Sequence, residues 1–131
     1  MLRDFIKKKF YMAQEEIIEI EYNDNCAVVV FKAASLSSSK QISELSDTLR
    51  DFLQQKKPAR MIFDFEAVKF FSSQVLGVLL DMRKRAKEFN GQIFISAIDP
   101  QLYRVFRITN LDKIFKFFPD RNAAIEATEK K

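Results

Sequence analysis

From Ile18 to Tyr22 apolar and acidic residues alternate, with Ile18, Ile20 and Tyr22 on one side and Glu19 and Glu21 on the other, the pattern of a half-exposed strand. Asn23, Asp24 and Asn25 tolerate turn conformations, and they precede Ala27-Val28-Val29-Val30-Phe31, a β-branched run expected of a strand buried on both faces. The two strands are therefore predicted to form an antiparallel hairpin. Ser37, Ser38 and Ser39 offer a helix N-cap, after which Ile42, Leu45, Leu49 and Phe52 recur at spacings of three and four. This predicts a helix of about four turns. Pro58 closes the connection to Met61-Ile62-Phe63-Asp64-Phe65, which reads as a second fully buried strand.

Ser72 and Ser73 give another N-cap signal ahead of Val75, Leu79, Met82, Ala86 and Phe89, which fall on one helical stripe. Leu76, Val78 and Leu80 lie off that stripe, so the first half of this helix is apolar nearly all round, while Asp81 to Glu88 is mostly charged. Asn90-Gly91 supplies a stop and Ile93-Phe94-Ile95 the next strand. Pro100 opens a short helix with Leu102, Val105 and Phe106, and Asn110 suits a left-handed residue at its end. A brief strand is expected over Phe115 to Phe117, and Asp120 can cap a last helix holding Ala123, Ala124 and Ile125. After one hairpin, strand and helix alternate, which implies an α/β domain with a mixed, mostly parallel sheet and about four helices.

Residues 1–14 place Leu2, Phe5, Ile6 and Phe10 among four basic side chains, a pattern compatible with a short amphipathic helix. They read as an N-terminal extension, with residues 15–131 forming one domain; docking on that domain, or a homodimer contact, is expected of the extension rather than membrane insertion. The 131-residue chain lies near the commonest domain size, and its 47% apolar and 31% charged residues are a globular balance. Most of the 14 Phe must be internal. The lone Cys26, beside a Val run, reads as a small buried hydrophobe in a reducing cytoplasm. No stretch approaches the length of a membrane span, and the first residues, which lack an apolar core and a small-residue cleavage site, are not expected to act as a secretory signal.

The net charge of +4 arises from 22 basic and 18 acidic residues that are interleaved, without an RNA-recognition aromatic signature or finger spacing; nucleic acid is not the expected partner. The absence of His and the single Cys remove the commonest general base and thiolate metal sites. Two glycines, Gly77 and Gly91, are too few for a phosphate-cradling loop or a dinucleotide fingerprint. No cofactor, metal or catalytic residue is expected, and the protein is read as a binding module rather than an enzyme. Ser37-Ser38-Ser39-Lys40 fits the Ser-x-x-Lys pattern of penicillin-recognising enzymes, but the companion motifs are missing and a serine-rich cap accounts for it. Asp64, a carboxylate inside an otherwise apolar strand and near its C-terminal end, is expected to orient the loop toward Ser72 and Ser73 or simply to bond backbone amides there, two roles that are compatible.

The stretch from Asp64 to Leu80 (DFEAVKFFSSQVLGVLL) resembles the signature of STAS domains, the fold of anti-sigma factor antagonists and sulphate-transporter tails. In that family a strand ending in Asp leads, after seven intervening residues, to Asp-Ser-Ser-Gly-Leu-Gly at a helix start, and the spacing here matches without a gap. The resemblance continues through Gly91 to Ile95, Val105 to Asp112 and the last helix, covering about residues 15 to 128. It places the family's phosphorylatable serine on Ser73, with Ser72 as the alternative, and implies a partner-binding face of Ser72, Ser73, Gln74, Val75 and Val78. Ser72 stands where the signature has Asp, Val75 where it has Gly, and Asn110 where Gly is frequent.

The resemblance implies a bacterial, cytoplasmic anti-sigma factor antagonist, in which the unmodified domain binds a serine kinase that holds a sigma factor and phosphorylation ends the binding. A PP2C-type phosphatase would reset such a switch. A rival reading is a non-switching STAS subunit of a lipid or anion transport complex; a third is a small-ligand sensor.

Overall fold

The computed structural model describes residues 6–8 and 17–129. Six strands form one sheet in the order β1-β2-β3-β5-β7-β8. They are β1 (Ile6–Lys8), β2 (Ile18–Asn23), β3 (Cys26–Phe31), β5 (Arg60–Asp64), β7 (Gln92–Ser96) and β8 (Lys116–Phe118). The pairs β1/β2 and β2/β3 are antiparallel, and β3/β5, β5/β7 and β7/β8 are parallel. Two short segments, β4 (Ser35–Leu36) and β6 (Phe70–Phe71), pair in parallel as a separate ribbon. The helices are α1 (Ser39–Lys56), α2 (Gln74–Lys87), α3 (Pro100–Ile108) and α4 (Arg121–Glu129), with a 3-10 turn at Leu111–Lys113.

The predicted hairpin closes on Asp24 and Asn25, whose φ values of 54° and 66° match the strand twist as a two-residue turn with both centres left-handed. Along β3 the side chains then divide between the two faces of the sheet. Val29 and Phe31 join Ile18, Ile20, Phe63 and Ile95 under α1, α2 and α3, where Leu45, Leu49, Leu79 and Phe106 complete the larger core. Cys26, Val28 and Val30 face the other way with Ile62 and Phe94, against Ala124 of α4. The uninterrupted β-branched run is the consequence of burial on both faces.

Local chemistry sets the helix boundaries. Ser38 Oγ accepts from the Gln41 N–H at 3.3 Å, Asp99 Oδ1 from Gln101 at 2.8 Å, and Asp120 Oδ1 from Ala123 at 2.8 Å, each occupying a donor that has no partner inside its helix. At the end of α2, Asn90 turns left-handed (φ 64°) and the Gly91 N–H donates to Ala86 O at 2.8 Å. A Cβ at Gly91 would lie 2.7 Å from the Phe89 ring and 2.8 Å from Pro58 O, so this close approach needs glycine. Asn110 is left-handed as expected, with φ 64°.

The structure corrects several expectations. The amphipathic helix suggested for residues 1–14 is instead a strand at Ile6–Lys8, added antiparallel to β2; the rest of that segment lies outside the described residues, as do Lys130 and Lys131. A short run of mixed apolar and basic residues is as compatible with an edge strand as with a short helix, and the free edge of β2 offers a ladder of hydrogen bonds. Helix α1 runs for 18 residues, five turns rather than four, and ends at Lys57 with φ 44°. The ribbon β4/β6 had no signal in the hydrophobic pattern. Among the described Phe residues, Phe70 alone is exposed, at 55%. No helix among the described residues is long and apolar enough to cross a membrane.

Candidate functional site

The connection from β5 to α2 is held at each step. The Phe65 N–H donates to Ser96 O at 3.0 Å, and the Glu66 N–H donates to Asp64 Oδ1 at 2.9 Å, closing a turn on the side chain of the strand's last residue. Val68 is fully buried and its N–H reaches Phe65 O. The Lys69 and Phe70 amides then share Ala34 O at 2.7 and 3.1 Å, and the Ser72 amide donates to Leu36 O at 3.0 Å. A chain of rings supports this ribbon from below: Phe31 against Phe65, Phe65 against Phe71, and Phe71 against Phe106, at centroid distances of 4.8, 5.9 and 6.1 Å. Tilted and edge-on pairs of this kind each add about 0.5–1.5 kcal/mol beyond their area burial.

Ser73 stands at the end of this pinned connection, exposed, at the N-cap position of α2. Its backbone is already helical (φ −61°, ψ −17°), a geometry that turns the side chain away from the following amides, and it makes no capping hydrogen bond. The first bonds of α2 run instead from the Val75 N–H to Ser72 O and from the Leu76 N–H to Ser73 O, at 3.0 and 3.1 Å. The expectation that a serine side chain caps this helix is therefore corrected. Ser72 is half-buried, and its Oγ is enclosed without a hydrogen-bond partner.

Of the other residues expected on the partner face, Gln74 is exposed and Val78, 8% exposed, borders a groove between α1 and α2. Val75 does not belong to that face. It is 0% exposed because it points along the core stripe of α2 with Leu79 and Met82. The groove, about 360 Å³, is lined by Ser39, Ser43 and Ser46 of α1 and by Gln74, Gly77 and Val78 of α2 among others. A Cβ placed on Gly77 would meet nothing within 4 Å. At the far end Asp81 accepts from Arg50 Nε at 3.2 Å and Arg85 Nε at 3.0 Å. Burial raises the Asp81 pKa, but the hydrogen bonds and charges of Arg85 and Arg50 outweigh it and hold the carboxyl below its ordinary value.

Asp64, 1% exposed, uses both oxygens. Besides the bond from Glu66 to Oδ1, Oδ2 accepts from Ser96 Oγ and from Arg121 Nε, each at 3.1 Å. As one of the two expectations had it, Asp64 bonds a backbone amide, that of Glu66 in the loop that leads to Ser73. Phe70, Gly77 and Arg121 were missed from sequence. Phe70 looked like any core Phe, Gly77 only completed the motif, and Arg121 is 57 positions from Asp64.

A family model of the STAS domain matches residues 18–124, and the chain belongs to that family. A STAS-domain containing protein of Pseudomonas aeruginosa is 30% identical over 59 residues, 45% of this chain; the match spans 58% of that relative's length. Among solved structures, an anti-sigma-factor antagonist domain protein from Planctomyces limnophilus superposes with a TM-score of 0.75 at 23% identity, covering 84% of this chain and 95% of that one. The phosphorylated form of the Bacillus cell fate determinant SpoIIAA gives 0.67 at 18% identity, covering 84% and 97%. A sulfate transporter family protein from Wolinella succinogenes gives 0.68 at 11% identity, covering 82% and 87%. At these identities the likeness is one of fold.

Proposed function

We propose that this protein is a partner-switching regulator that docks a protein of the serine-kinase or anti-sigma type on the α2 N-terminus and the adjoining α1–α2 groove, and that phosphorylation of Ser73 ends the binding. The observation that carries this reading is the state of the Ser73 hydroxyl: exposed, at the end of a connection held by hydrogen bonds to Asp64, Ser96, Ala34 and Leu36, and not used as a helix cap. Three other helix starts in the chain use their Ser or Asp side chain for capping. A phosphate added at Ser73 would sit near the positive end of the α2 dipole, while its charge of about −2 would disrupt an interface shaped around a neutral hydroxyl. The solved structure of a phosphorylated family fold supports the chemistry by analogy. In this reading the protein acts in the bacterial cytoplasm, controls transcription through its partner, and is reset by a PP2C-type phosphatase.

The second reading, a non-switching subunit of a transport complex, is favoured by Ser72 and Val75 in place of the signature's Asp and Gly and by the fold likeness to a sulfate transporter family protein. Affinity purification of the tagged chain from its native cell, with mass spectrometry of partners and phosphosites, separates the two. Affinity of the purified partner should fall at least tenfold for protein stoichiometrically phosphorylated at Ser73. Equal affinity, or a stable stoichiometric complex with membrane proteins whatever the phosphorylation state, would leave the subunit reading standing.

A further inference from the structure

We infer that Arg121, the first residue of α4, is a positioning residue for the loop that carries Ser73, acting through Asp64. Its guanidinium meets carboxylates from three parts of the chain: Nε donates to Asp64 of β5 at 3.1 Å, Nη2 lies 3.7 Å from Glu66 of the loop, and Nη1 lies 4.0 Å from Glu21 of β2. These contacts differ in weight. Glu66 is 75% exposed and its pair is solvated, whereas the Asp64 side chain is 1% exposed and depends on its protein donors.

The geometry divides the two oxygens of Asp64 between two tasks. Arg121 and Ser96 both donate to Oδ2, and together they fix the plane of the carboxylate. Oδ1 is thereby turned toward the Glu66 N–H, the second amide of the loop. Without Arg121 a buried charge would keep one side-chain hydroxyl and one amide, and the carboxylate would rotate or draw water to recover what it lost. Either response releases the Glu66 turn. The fork of Arg suits this place better than Lys, because one planar group serves Asp64 through one nitrogen and two further acids through the others. Beneath α4 the apolar contact rests on Ala124, with Ile125 and Phe118 of β8 partly buried, and the Arg121–Asp64 pair adds a polar contact at the start of the helix.

The importance of the loop for function rests on the Ser73 reading above; its ordering by Arg121 does not, and the test addresses the ordering. Amide hydrogen exchange is measured on the full chain for wild type, Arg121→Met, Arg121→Lys and Asp64→Asn. In Arg121→Met the amides of Glu66, Lys69, Phe70 and Ser72 should exchange at least tenfold faster than in wild type, after division by the factor seen for Val29 and Phe63 in the central strands. Asp64→Asn should reproduce the pattern, and Arg121→Lys should restore part of the protection. A uniform factor across loop and strands would reduce Arg121 to a general stabiliser and overturn the inference, as would unchanged loop exchange. If Arg121→Met does not fold, Arg121→Lys and Asp64→Asn decide by the same ratio. A loosened loop together with phosphorylation-insensitive partner affinity would reject the Ser73 switch and keep the role of Arg121.

Discussion

Helices α1 and α2 both begin behind serines, yet the two starts are built differently. At α1, Ser38 is extended (φ −71°, ψ 130°) and its hydroxyl takes up the Gln41 amide. At α2, Ser73 has already turned helical and its hydroxyl takes up none. The first serine performs the structural task that sequence rules assign to it, and the second is held in place by the ribbon before it while its side chain is left to solvent. A helix start that needs no side-chain cap has a hydroxyl free for other chemistry.

The largest expected effect tests that freedom directly. Stoichiometric phosphorylation of Ser73, or Ser73→Asp, should weaken partner affinity at least tenfold, about 1.4 kcal/mol, by titration calorimetry. Ser73→Ala should still bind. Denaturant unfolding gives the next contrast: Ser38→Ala should cost about 1 kcal/mol and Ser73→Ala only a few tenths. Equal losses would mean that Ser73 caps its helix in solution, and the contrast between the two starts would be gone. Gly77→Ala should stabilise the protein by about 0.5–1 kcal/mol, because a methyl there meets open space and glycine costs conformational entropy in a helix. Loss of partner affinity in the same variant would support docking in the groove that Gly77 lines.

The smallest effect concerns acid. Asp81 of α2 accepts from Arg50 of α1, which joins the two helices, and from Arg85 on its own helix, and its folded pKa lies below the ordinary 3.8. The depressed value means that its contribution is complete above the unfolded pKa and is lost as pH falls through the folded one. Between pH 5 and pH 3 the wild type should therefore lose a few tenths of a kcal/mol more than Arg50→Gln/Arg85→Gln, as expected of a partly exposed pair. Parallel pH profiles would show that the pair does not join α1 to α2 in solution.

Much of this arrangement was legible in advance where a residue type has one physical solution. The Asp24-Asn25 turn, the Asn90-Gly91 stop and the buried β3 run each followed from local conformational preference or from an unbroken apolar pattern. Residues 1–14 failed because a short basic-apolar segment fits two periods, and the partner that decided the outcome, the edge of β2, is not local in sequence. Val75 failed because the family signature assigned it by position while its own stripe with Leu79 and Met82 already pointed inward. Placement of Ser73 at the start of α2 could be read from the signature spacing. The unused hydroxyl could not, since it depends on the helical backbone that Ser73 adopts at the end of a ribbon whose hydrogen bonds reach Ala34 and Leu36, more than thirty residues away. Arg121 was illegible for the same reason: only the fold brings the start of the last helix against the end of β5.

The β4/β6 ribbon has a further consequence. Because Ser35–Leu36 and Phe70–Phe71 run side by side, α1, starting three residues after Leu36, and α2, starting three residues after Phe71, leave the ribbon from neighbouring strands and flank the groove. Backbone that would otherwise lose about 1–2 kcal/mol of conformational entropy per residue on docking is already ordered during folding. If a partner docks here as proposed, it should meet a preformed surface, and its association should resemble rigid-body docking, with little coupled folding in the heat capacity of binding.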